Sequence, residues 1–125
     1  MQEAGERARG MSGNMLGKQL YVIHTVPAAP RERIIELLPQ HLEHQVRLEK
    51  SGVMFAAGPM VDEDGNPAGG MIVVRAASFA EAREIADSDP LHRAQLRSYT
   101  IQRWTVNEGC YTVRVNYSDQ TVTID

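Results

Sequence analysis

Two of the four histidines, His41 and His44, stand three residues apart in PQHLEHQVRLEKSG, a stretch with helical character. Three kinds of chemistry fit such a pair. H-x-x-H on a helix offers a metal two ligands, but a catalytic zinc takes three from the protein. His24 or Asp89 would have to be the third, and spacing alone brings neither there. A histidine beside a carboxylate is instead a general base, because imidazole titrates near ~6.5 and the carboxylate orients and tunes the ring. Asp89 precedes Pro90 at a helix end, so a His41–Asp89 pair would form a base and its orienter for proton transfer. In the plainest reading Asp89 caps the turn PLHRAQL and His41 is a half-exposed helical residue. Composition and spacing by themselves favour this last reading.

The remaining polar residues are less specific. His44, between Glu43 and Gln45, reads as solvated. His24 lies mid-strand between Val22 and Val26, where a core or interface histidine satisfied by a backbone carbonyl is the expectation. His92 follows Pro90 and could line the same cleft as Asp89. Arg97 and Arg103 could bind an anion or serve as surface salt-bridge residues. Trp104 reads as a core anchor. No G-x-S-x-G accompanies these residues, and Cys110 falls in the C-terminal tail. The glycines of DEDGNPAGG lack the strand-to-helix context of a phosphate loop and read as turn residues.

The elements that must position these residues follow from periodicity. LYVIHTV (20–26), VMFAAGP (53–59), MIVVRA (71–76) and YTIQRWTV (99–106) read as strands. Ile34, Ile35, Leu38, Leu42 and Val46 recur at helical steps. Pro39 interrupts that run, which predicts a kink or two segments, the better helix being 39–51 with Pro39 in its first turn. Ser78 and Glu81 form a capping box ahead of a second helix that ends at Asp89-Pro90. The order βαββαβ is the ferredoxin-like arrangement, an α+β fold with an antiparallel sheet and both helices on one face. An apolar face left open predicts a homodimer. CYTVRVNYSDQTVTID adds a C-terminal β-hairpin across Ser118-Asp119.

A chain of 125 residues supports one domain with a modest core, and 42% apolar with 23% charged residues is ordinary globular composition. A net charge of −3 with interspersed signs gives no footprint for a nucleic-acid partner. No run of ~18 apolar residues is present for a membrane span. The start lacks an apolar signal region, and one cysteine cannot form an intramolecular disulfide, so a cytoplasmic protein is the default. Residues 1–17, rich in glycine and charge, read as a flexible leader, 18–106 as the folded domain and 107–125 as the hairpin extension.

PQHLEHQVRLEKSGVMFAAGPM and DGNPAGGMIVVRAASFAEAREIADSDPLHRAQLRSYTIQRW together resemble the YCII-related (YciI-like) proteins, from about Leu20 to Val106. The elements carrying the resemblance are His41-Leu42, Gly58-Pro59, the Asp-Gly loop, Asp89-Pro90 and Trp104. It implies a dimeric α/β barrel similar to muconolactone isomerase, with a site built on His41 and Asp89. His92, Arg97, Gly58 and Pro59 are then the expected substrate-binding residues, with no metal and no cofactor. Leu91 stands where the family often has an aromatic residue. A relative that removes chloride from a chlorinated hydroxyquinol makes the implied function a lyase or isomerase step on a small cyclic or phenolic molecule. His41 would be the general base and Asp89 its orienter. The alternative is a non-catalytic module that binds a small ligand in the same cleft.

Overall fold

In strand β1 (Lys18–Pro27), Tyr21, Ile23 and Thr25 are buried while Val22 and His24 between them are half-exposed. That period of two sets the two faces of the sheet. The computed structural model describes residues 1–125. Helix α2 (Arg31–Lys50), strand β2 (Met54–Val61), strand β3 (Pro67–Val74), helix α3 (Phe79–Asp87), the single turn α4 (Pro90–Arg93) and strand β4 (Arg97–Val106) follow in order. The sheet runs β2-β3-β1-β4, with β3 antiparallel to both of its neighbours, as in Ile23 opposite Ile72 and Ala57 opposite Ile72. The α+β, βαββαβ reading is therefore correct. β2 is an edge strand, the position in which Pro59 removes no ladder hydrogen bond that a neighbour needs.

Two clusters make the core. Tyr21, Ile23, Ile72 and Val74 from the sheet pack on Ala82 and Ala86 of α3. Ile34 of α2 packs on Leu91 and Leu96, which joins α2 to the α4 turn. The Ser78 hydroxyl accepts from the Glu81 amide, and the Glu81 carboxylate accepts from the Ala77 amide, so α3 starts where the capping pattern predicted.

Three expectations change here. Pro39 does not divide α2, which is one continuous helix of 20 residues. Tertiary packing on both sides of the proline offsets the one backbone bond it removes. The buried face of α2 runs through Ile34, Leu37, His41, His44 and Leu48, leaving Ile35, Leu42 and Val46 about half exposed. Trp104 is no core anchor in a single chain, being 41% exposed on the sheet face opposite the helices.

The terminal segments form a separate compact unit, Met1–Lys18 with Val106–Asp125. Within it Gln2–Ser12 is helical (α1) and buries no residue, where the composition had predicted an unstructured leader; Ala, Glu and Arg supply the helix propensity. The C-terminal hairpin is present as β5 (Val113–Asn116) and β6 (Thr121–Ile124), with Val113 opposite Ile124 and Val115 opposite Val122. The Asp119 carboxylate closes its turn by accepting from the amide and hydroxyl of Thr121.

Candidate active site

His41 lies two helical turns beyond Ile34 on the same face of α2, so the contact that seats Ile34 on Leu91 also carries the imidazole toward the start of α4. There Asp89 is the N-cap of α4, and its Oδ1 accepts from the Leu91 amide at 2.9 Å. The same carboxylate reaches His41 Nδ1, at 2.8 Å from Oδ2 and 3.0 Å from Oδ1. Asp89 is 3% exposed. Burial works against its charged form, but the hydrogen bonds from His41 and Leu91 outweigh that and hold its pKa below the usual carboxylate range. An ionised carboxylate only accepts, so Nδ1 of His41 carries a proton, and in the neutral ring Nε2 is the nitrogen with the lone pair. The cap and the pair are thus one arrangement, because one carboxylate serves both.

His41 lines a cavity of about 500 Å³ between α2 and the sheet, a volume in the range of small-molecule sites. Leu38, Leu42, Val46, Met54 and Ile72 make most of its wall apolar. Of the residues expected to bind substrate, Gly58, Pro59 and Arg97 border this cavity together with His41. His92 does not. Its Nδ1–H donates to the Ala86 carbonyl at 2.7 Å, so Nε2 accepts from the Thr25 hydroxyl at 2.8 Å. With both nitrogens committed and the ring 8% exposed, His92 is a buried support that fixes Thr25 on the cavity wall. Thr25→Val keeps the side-chain shape and leaves that nitrogen unpaired. The expected result is a loss of about 1–3 kcal/mol in urea unfolding, with little change in the slope against denaturant.

Nor is His44 a solvated neighbour. The Ser88 hydroxyl donates to Ile85, so its oxygen accepts from His44 Nε2–H at 3.0 Å. Partial burial lowers the pKa of His44 despite the attraction of Asp89. His41 and His44 therefore serve different partners, and no three His, Cys, Asp or Glu side chains gather as a metal-ligand set. His24, expected as a core or interface histidine, is not in the core but half-exposed on the open sheet face with Val22, Met71 and Trp104.

Among the wall residues that sequence reasoning did not assign to the site are Thr25, Gly69 and Gln45. Gln45 could have been found, since it lies four residues after His41 on the same helical face. Thr25 and Gly69 are brought there by strand pairing, which leaves no local signal.

The fold and this histidine–aspartate pair together define an α+β protein with a polar pair at the wall of an apolar cavity. The chain belongs to the YCII-related domain family, whose model matches residues 19–105. Among solved structures it is similar to 5-chloro-2-hydroxyhydroquinone dehydrochlorinase of Burkholderia phenoliruptrix in complex with 2,5-dihydroxybenzoquinone. The identity is 21%, the match covers 68% of this chain and 92% of that one, and the TM-score is 0.56. Comparison with curated proteins returns no match. No helix is long and apolar enough to cross a membrane.

Proposed function

We propose that the protein is a small-molecule lyase or isomerase in which His41 is the general base and Asp89 orients it, acting on a cyclic or phenolic substrate. The observation that carries this reading is the 2.8 Å contact between His41 Nδ1 and Asp89, made at the wall of an apolar cavity. With Nδ1 held, Nε2 is the nitrogen left to take a proton from an acidic C–H or O–H. The buried carboxylate stabilises the imidazolium that results. The electron pair stays in the conjugated substrate. It then either collects the same proton at another carbon, an isomerisation, or expels a leaving group that departs with its bonding pair, an elimination. The similar fold of a dehydrochlorinase supports a phenolic substrate class. Neither step needs a metal or an organic cofactor, and the lone, exposed Cys110 suits a cytoplasmic setting.

A panel of hydroxyquinols and their chlorinated forms, beginning with 5-chloro-2-hydroxyhydroquinone, tests the reading by chloride release and by deuterium uptake from D2O. His41→Gln, with its circular dichroism unchanged, should lower either activity by on the order of 10²–10⁴. Equal turnover by the variant would remove His41 from the chemistry. Compounds that bind but come back unchanged, without deuterium, would instead favour the ligand-binding module.

The same reading makes the protein a homodimer in the manner of an α/β barrel. Phe55 and Trp104, 44% and 41% exposed, lie with Val22 and Met71 on the sheet face that no helix covers. A second copy would remove that apolar surface from water. Light scattering at micromolar concentration should give a dimer, and Trp104→Glu should shift it to monomer. A monomeric wild type would overturn the assembly.

A further inference from the structure

The residues of β2 that face the helices follow from its pairing. Met54, Ala57 and Pro59 stand opposite Val74, Ile72 and Gly70 of β3, and Val74 and Ile72 belong to the core that packs on α3. Ala57 therefore directs its methyl toward the helical side of the sheet, where it borders the cavity. It is nevertheless exposed, and on the helix side of the same cavity Leu42 and Val46 are about half exposed. Three apolar side chains thus stay in contact with water on the two sides of one gap.

Packing alone would close that gap. Alanine is depleted in strands, whereas a β-branched residue at position 57 would suit an edge strand and cover Leu42 and Val46. The alanine forgoes that stabilisation and keeps the space open. The height of the gap follows from the chain reversal at 51–53, where Gly52 takes φ +81° and the Val53 amide donates to the Leu48 carbonyl. A strand advances about 3.3 Å per residue and a helix about 1.5 Å. The roughly 16 Å from Gly52 out to Ala57 therefore matches the distance back along α2 to His41 and Leu42. The gap at Ala57 lies level with the candidate base.

We propose that Ala57 is the specificity-determining residue of this cavity: its small side chain keeps open a slot between β2 and α2 in which a flat aromatic ring reaches His41. The proposal rests on the cavity being the substrate site, and it adds which residue limits the size of the ring. A side chain longer by two or three carbons would fill the slot, and overfilled space rejects the bulkier ligand first.

Equilibrium binding of phenol and 2-naphthol to the full-length chain, compared with Ala57→Val and Ala57→Leu, tests it. The wild type should bind both probes, 2-naphthol the more tightly because it covers more of the apolar wall. Ala57→Val should weaken 2-naphthol on the order of tenfold and Ala57→Leu further, with phenol affected less. The melting temperature of ligand-free Ala57→Val should hold or rise, since the added methyls cover Leu42 and Val46. Affinity falling while stability does not is the signature that damaged packing would fail to produce. The proposal is overturned by a wild type that binds neither probe, by folded variants that hold 2-naphthol as tightly as the wild type, or by equal losses for the two probes. Losses that come with a lower melting temperature in both variants overturn it as well. Turnover by His41→Gln is a separate readout. Unchanged 2-naphthol affinity in the Ala57 variants, with His41-dependent turnover intact, would sink the size limit alone. Weakened affinity in those variants, with turnover independent of His41, would sink the acid–base reading alone.

Discussion

Asp89→Asn should lower turnover by on the order of 10²–10⁴ while leaving the fold in place, and the reason lies in which carboxylate oxygen does what. Oδ1 accepts from the Leu91 amide at 2.9 Å, and Oδ2 meets His41 Nδ1 at 2.8 Å. An asparagine that keeps the cap must put its amide oxygen toward Leu91. Its NH2 then faces His41, turns Nδ1 into an acceptor and moves the ring proton to Nε2. The base would be the right residue in the wrong tautomer. Nitrogen chemical shifts of His41 should report the switch, with Nε2 protonated in the variant and Nδ1 in the wild type. A variant with the wild-type tautomer and undiminished turnover would refute the orienting role. The acid limb of stability should change as well. The folded-state pKa of Asp89 is depressed, so its ionisation stabilises the fold above the unfolded value near ~3.9, and that contribution disappears as pH falls through the lower folded value. Below about pH 4, therefore, the wild type should lose stability more steeply than Asp89→Asn in urea titrations.

Gly69→Ala should be the most damaging single methyl in the domain. Gly69 has φ +91°, a conformation that residues with a Cβ rarely adopt, and it sits at the cavity wall where β3 passes β1. A Cβ there would stand 2.6 Å from the Thr25 carbonyl oxygen and 3.2 Å from Val26 Cγ1. The first contact is with backbone, so nothing flexible can yield, and the β1–β3 pairing next to Thr25 opposite Gly70 would have to shift. Backbone strain of about 1–3 kcal/mol adds to the clash, so a loss of roughly 3 kcal/mol or more is expected. For a domain of this size that corresponds to a fall in Tm of about 10 °C or more. Gly58→Ala serves as the control, since a Cβ at Gly58 meets nothing within 4 Å. Equal melting temperatures for the two variants would show that the strand contact is not rigid.

The strands, the capping box at Ser78 and the hairpin were legible in the sequence because each rests on contacts a few residues apart or on a period of two. The helical stripe was legible too, but its sense was not. Ile35, Leu42 and Val46 form as good an apolar row as Ile34 and Leu37, and only the position of α4 decides which row is buried. Local reasoning overrated Pro39 for the same cause, since the packing that holds α2 together across it comes from other elements. The candidate pair shows the division most plainly. The sequence alone made His41 one of four histidines and Asp89 a helix-end residue, and family resemblance joined them. Their 2.8 Å separation spans 48 positions and depends on Ile34 meeting Leu91. His92 read as a substrate-binding residue of the cleft because residue type says nothing about whether both ring nitrogens are taken, and Thr25 and Ala86 take them. Chain order thus determined the α+β topology and supplied the residues able to carry a proton. Tertiary packing decided which histidine beside a cavity is left with an uncommitted ring nitrogen, because hydrogen-bond partners distant in sequence set the tautomer and exposure of each ring.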